Sequence, residues 1–141
     1  MANLYLFDTN ILVHVIRDDI TGQLIRSTYS PFLIDPKPFY CVVSDGELRS
    51  LALQWFWGDQ KTDQMRFVLS HFRRIPIEKP DVLQTYALID FFSKSKGIKM
   101  GKNDLWVASA AHIAGSRLVT TDIDFDHLDS VFVSVDKIPL S

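Results

Sequence analysis

"LYLFDTNIL", residues 4–12, decides how this chain is read. The apolar run Leu4, Leu6 and Phe7 has the look of a buried strand, and it ends on Asp8. Thr9 and Asn10 then lead into Ile11 and Leu12, where a helical pattern begins. An ionised acid at the mouth of a buried strand is costly unless a partner or a cation meets it. The fold therefore turns on whether other acids arrive at the same place.

Working outward, four more short segments read as strands: 39–43, 74–77, 117–121 and the Val- and Phe-rich 131–135. Helical patterns lie between them over 9–18, 44–57, 62–72, 80–95 and 103–115. Pro80 suits a first helical turn and Gly115 a helix stop. The Pro-rich stretch 29–39 reads as a loop. Alternating strands and helices predict an α/β fold, with a mainly parallel, roughly five-stranded twisted sheet flanked by helices.

The totals set bounds. At 141 residues, the chain is expected to be one domain, 1–141. Its 47% hydrophobic and 23% charged content is that of an ordinary folded protein. No apolar run reaches the length of a membrane span, and no signal-peptide pattern opens the chain. The single cysteine, Cys41, lies in the apolar run "FYCVV" and is expected to be a buried, inert thiol. It excludes an internal disulfide and a cysteine-built zinc site. A cytoplasmic protein is the expectation. The net charge of −2 gives no global nucleic-acid signature, so any such binding needs a local basic patch.

Asp8 follows the first strand, and Glu47 follows the second, in the first turn of its helix. Asp104 opens the last helix, and Asp122 follows the fourth strand with Asp124 and Asp126 behind it. In a parallel sheet every strand-to-helix turn lies on one edge, where ligand sites form. Asp8, Glu47, Asp104 and Asp122 are thus expected to converge. Clustered carboxylates repel, so they protonate or bind a cation. An oxygen-only set suits Mg²⁺ or Mn²⁺, ions that activate water for attack on a phosphodiester.

Each acid also has a plainer reading. Ser44-Asp45-Gly46-Glu47 fits a capping box. Asp104 could simply favour a helix N-terminus, and "TTDIDFD" could be a polar turn. Asp8 has no evident local role.

These motifs resemble those of the PIN domain family, and most of all the VapC-type toxins of toxin–antitoxin pairs. "LFDTNIL" is similar to the family's opening Asp-Thr-Asn motif and "SDGELRSLAL" to the segment that supplies its Glu. "KNDLWVASAA" resembles its Asp before an alanine-rich helix, and "LVTTDIDFDHL" its C-terminal Thr-x-Asp-x-Asp-Phe pattern. The resemblance spans essentially the whole chain. It implies a three-layer α/β sandwich and a divalent-metal-dependent endoribonuclease, the toxin of a pair. By the same resemblance, Asp8, Glu47, Asp104 and Asp122 would be catalytic and would hold Mg²⁺ or Mn²⁺, assisted by Asp124. Asn10 and Thr120 would orient carboxylates. A cognate antitoxin, an RNA substrate and a homodimer are the implied partners, with no membrane role.

Lys94, Lys96, Lys99 and Lys102 lie just before Asp104 and could hold an RNA backbone beside the acids. Consecutive Trp55, Phe56 and Trp57 cannot all be buried on one helical face, which suggests a protein-contact surface or packing under the Pro-rich loop. Trp106 and Phe125 read as core, and His112 as a helix-surface or core histidine rather than a base. The alternatives are an RNA-processing nuclease without an antitoxin, a non-catalytic scaffold of the same shape, and a haloacid-dehalogenase-type phosphatase. The last wants Gly-Thr soon after its Asp, where this chain has Asn10-Ile11.

Overall fold

The computed structural model describes residues 3–140. Five short strands form one parallel sheet in the order β3-β2-β1-β4-β5. They are β1 (Tyr5–Phe7), β2 (Phe39–Cys41), β3 (Arg73–Ile75), β4 (Arg117–Thr120) and β5 (Val135–Lys137). The helices are α1 (Thr9–Arg17), α2 (Ile20–Tyr29), α3 (Val42–Gln54), α4 (Asp59–Leu69), α5 (Pro80–Ser95) and α6 (Lys102–Ile113), with a 3₁₀ helix over Ile123–Leu128. No described helix is long and apolar enough to cross a membrane.

Period-two alternation along the strands divides the core into two layers. Phe7, Tyr40 and Val119 face one side, where they meet Ile11, Leu12, Val15 and Ile16 of α1, Ile25 of α2 and Met65 and Val68 of α4. Leu6, Cys41 and Leu118 face the other, against Ile89 of α5 and Leu105, Val107, Ala108 and Ala111 of α6. The alanine-rich face of α6 lets it pack closely under the sheet, where all three of its interior alanines are fully buried. The result is the expected helix–sheet–helix sandwich. Cys41 is fully buried at the end of β2, and burial pushes its thiol up to about 11, which keeps it inert.

Several local expectations need correction. Helix α2 lies where the sequence suggested nothing. Asp19 caps it by accepting from the Gly22 N–H at 2.8 Å, and its backbone runs against α1. A Cβ at Gly22 would sit 2.0 Å from the His14 carbonyl oxygen, so only glycine permits that approach. The expected strand 131–135 is mostly a turn. Ser130 adopts φ 64° and its N–H donates to the Val133 carbonyl, and pairing with β4 begins only at Val135. Phe132 and Val133 use their apolar surface to pack beneath the sheet instead. Asp136 of β5 pairs with Arg117 of β4, which fixes that edge.

Helix α3 begins two residues earlier than expected and stops at Gln54. Phe56 takes φ 54°, which ends the helix and splits the aromatic triplet. Trp57 folds back onto the core, the Arg17 guanidinium lies 4.2 Å from the Trp55 ring centre, and Phe56 stands in solvent. Phe32 of the Pro-rich loop packs on Phe67 and His71 rather than over the tryptophans.

Candidate functional site

The carboxyl ends of β1, β2 and β4 open on one side of the sheet, and a cavity of about 740 Å³ lies there. Asp8, Glu47, Asp104 and Asp122 all line it. The elements that deliver them come from residues far apart in sequence, which is what a parallel sheet does to its strand-to-helix turns.

Asp8 has a local role that the sequence hid. It is the N-cap of α1, its Oδ1 accepting from the Thr9 N–H at 2.8 Å. Its other oxygen, Oδ2, accepts from Thr120 Oγ1 at 2.9 Å. Thr120 is in turn held by the Asp122 N–H, which donates to its Oγ1 at 3.0 Å. One hydroxyl thus ties the end of β4 to the end of β1. Asp8 is only 5% exposed, and burial raises its carboxyl to about 6. The hydrogen bonds from Thr120 and Thr9 oppose that rise, while the charges of Glu47 and Asp122 add to it.

Glu47 lies in the second turn of α3, not the first, and the capping-box reading is overturned. The N-cap is Cys41, so Ser44 sits inside the helix and caps nothing. Ser44 is instead fully buried and shares a 2.8 Å hydrogen bond with Thr9 Oγ1, which donates to Glu47 Oε1 at 2.7 Å. The residue that orients Glu47 is therefore Thr9. Asn10, expected in an orienting role, lines the cavity with an exposed side chain and is hydrogen-bonded to none of the carboxylates. It sits one residue farther round α1, which turns it outward.

Asp104 stands in the first turn of α6, where the helix dipole favours a negative charge. Its carboxyl is nonetheless raised to about 7. Burial is the largest cause, followed by the charges of Asp8, Asp122, Asp124 and Glu47. Asp122 caps the 3₁₀ helix by accepting from the Asp124 N–H at 2.9 Å, which draws Asp124 alongside. One carboxylate oxygen from each of Asp104, Asp122 and Asp124 lies within 4.8 Å of the others, a spacing that a single cation can bridge. Three hard oxygen donors, with no histidine or cysteine among them, fit Mg²⁺ or Mn²⁺. Asp126, by contrast, is a surface acid paired with Lys137 Nζ at 2.8 Å.

The four lysines fare differently. None lines the cavity. Lys94 is paired with Asp90 at 2.9 Å and Lys96 lies over the Phe92 ring, so both are already engaged. Lys99 and Lys102 are exposed in the segment leading into Asp104. His112 is exposed at the far end of α6, where Nδ1 donates to the Phe132 carbonyl at 2.7 Å. Of the two residues expected in the core, Phe125 is fully buried, while Trp106 is half-buried against Tyr86.

The PIN domain family model matches residues 5–131. The chain belongs to the PIN domain family. The matched stretch contains every carboxylate of the site. Among curated protein sequences none matches the chain. Solved structures do. The VapBC2 complex of Rickettsia felis, bound to a DNA fragment from its promoter, aligns with a TM-score of 0.79 at 20% identity, covering 95% of this chain and 98% of that one. FitAcB from Neisseria gonorrhoeae aligns at 0.73 and 24% identity, covering 94% and 96%. VapBC-5 of Mycobacterium tuberculosis, a member of the VapBC family of toxin–antitoxin systems, aligns at 0.67 and 20% identity, covering 99% and 100%. At these identities the likeness is one of fold: the PIN domain shares the whole architecture of those chains.

Proposed function

We propose that this PIN domain is a divalent-metal-dependent endoribonuclease, acting as the toxin of a toxin–antitoxin pair. The observation that carries the reading is the convergence of Asp8, Glu47, Asp104 and Asp122 on one cavity, with Asp8 and Asp104 raised to about 6 and about 7 by burial and mutual repulsion. Gathered carboxylates protonate or bind a cation, and the oxygen-only trio of Asp104, Asp122 and Asp124 favours the cation. The toxin assignment draws on the fold shared with the VapBC complexes.

In this reading Asp104, Asp122 and Asp124 hold the cation and Asp8 and Glu47 complete its surroundings. An ion held there would supply an activated water and would neutralise charge developing on the phosphate. Thr120 and Thr9 fix the carboxylates of Asp8 and Glu47 in one orientation, so that neither must reorganise when RNA arrives. Lys99 and Lys102 hold the incoming backbone beside the acids. The whole chain, 1–141, works as one cytoplasmic nuclease domain that pairs with an antitoxin and with a second copy of itself.

The test is cleavage of RNA with Mg²⁺ or Mn²⁺ by the wild type and by Asp8→Asn, which keeps the shape and removes one charge. A loss of at least about a hundredfold in rate, with the fold retained, is expected. Equal rates, or cleavage that continues in excess chelator, would sink the mechanism. Co-purification with a small DNA-binding protein encoded immediately upstream tests the toxin assignment, and the lack of any such reading frame would overturn it.

A further inference from the structure

We propose that His127, held by the buried hydroxyl of Ser93, is a positioning residue for the cation: the pair sets where Asp124 stands relative to Asp104. The inference rests on the metal-dependent reading above and names residues that act behind its ligands.

The three acids of the trio come from two separate elements. Asp104 belongs to α6, whereas Asp122 and Asp124 belong to the 3₁₀ turn that follows β4. One cation can bridge them well only if the two elements keep a fixed separation. A 3₁₀ helix has poor hydrogen-bond geometry and holds its own shape weakly. Phe125 and Leu128 anchor the apolar side of this one, both fully buried in the layer that contains α6. Lys137 pairs with Asp126 at its surface. Apolar packing is non-directional, so it leaves the rotation of the turn to directed contacts.

His127 supplies such contacts. Side chains three apart eclipse in a 3₁₀ helix, which stacks His127 over Asp124. The ring hydrogen-bonds the Asp124 backbone. Its Nε2 lies 2.8 Å from Ser93 Oγ on α5, and Ser93 is fully buried. A buried hydroxyl requires a partner, and the imidazole is the one it has across the layer. With Nε2 accepting from Ser93, Nδ1 is left to donate to the Asp124 carbonyl. Phe92, beside Ser93, stacks on the imidazole with 5° between the ring planes and 6.3 Å between their centres. The Asp124 N–H is tied to Asp122 at 2.9 Å, so residue 124 is held from both of its backbone groups. Among the described residues, Ser93–His127 is the one hydrogen bond that joins the 3₁₀ turn to α5 or α6. Helix α5 in turn packs along α6, which carries Asp104. The polar path from Asp124 toward Asp104 therefore runs through His127 and Ser93.

The experiment titrates the full chain with Mn²⁺ in the absence of RNA and follows the free ion by its EPR signal. Ser93→Ala, and His127→Phe, which keeps a ring against Phe92, should each bind Mn²⁺ roughly tenfold more weakly than the wild type. The double variant should bind no more weakly than His127→Phe alone, because Ser93 acts through that ring. Ile89→Val, a small truncation in the buried face of the same helix, should lower the melting temperature and leave Mn²⁺ affinity unchanged. That comparison separates positioning from a general loss of stability. Unchanged affinity in the two single variants, additive losses in the double variant, or an equal loss in Ile89→Val overturns the positioning role. The expected Mn²⁺ pattern in a protein that cuts no RNA leaves that role standing and overturns the ribonuclease reading instead.

Discussion

Without a cation, the protein should lose stability as pH rises through the range in which Asp8 and Asp104 ionise. In an unfolded chain the Asp8 carboxyl titrates near 3.8, and in the folded protein it is raised to about 6. Between those values the native state holds a proton that the unfolded state has released. Linkage then requires stability to fall with rising pH, starting near pH 4 and finishing above pH 6. Two pKa units correspond to about 3 kcal/mol for this nearly buried group. Asp104, raised to about 7, extends the loss toward neutrality, but its half-exposed carboxyl is screened and adds less. His127, held below its ordinary value by burial, acts in the opposite sense, so the comparison with Asp8→Asn is what isolates the carboxyl. Urea unfolding in chelator from pH 4.5 to 8 measures the slope. The wild type should lose about 2 kcal/mol more than Asp8→Asn over that range, since part of the loss is already complete at pH 4.5, and excess Mn²⁺ should flatten the wild-type curve. Identical slopes for the two proteins would refute the reasoning, as would a wild type that gains stability toward pH 8 without metal.

Three further outcomes are expected. Gly46→Ala, whose added methyl meets nothing within 4 Å, should stabilise α3 by up to about 1 kcal/mol while raising KM for RNA; thermal melts and steady-state kinetics on the same sample check both. Gly22→Ala should destabilise the fold by about 3 kcal/mol or more, since its methyl would overlap the α1 backbone; urea unfolding would show it. The double variant Lys99→Ala, Lys102→Ala should weaken cleavage and lower the magnitude of the salt slope by about 0.7 for each phosphate no longer neutralised, read from binding across a salt series.

The layers and the acidic edge were legible because both follow from periodicity. Leu6 and Phe7 alternate across the sheet, Asp8 and Asp122 stand directly where β1 and β4 end, Glu47 lies in the helix that follows β2, and Asp104 opens a helix. Helix α2 was not legible. "ITGQLIRSTY" contains a glycine and several β-branched residues, and its helix is held by packing on α1 rather than by propensity. The start of α3 was equally hidden, because its N-cap, Cys41, makes no side-chain hydrogen bond and Ser44-Asp45-Gly46-Glu47 imitates a start. Thr9 carries no signal in the sequence, because its partners, Ser44 and Glu47, are more than thirty positions away. That Thr120 orients a carboxylate is what the family resemblance implies; that the carboxylate is that of Asp8 is visible only in the structure.

The strand order carries one more consequence. β1 lies at the centre of the sheet, yet its neighbour β4 and all three acids of the cation trio belong to the C-terminal third of the chain. A ribosome that has delivered Asp8, Glu47 and most of the hydrophobic layer around α1 has still made nothing that can gather a cation. The trio is assembled only once the chain has been made through Asp124. A chain interrupted before Asp104 lacks all three acids, so under the proposed function fragments ending at residue 101 should neither bind Mn²⁺ nor cut RNA.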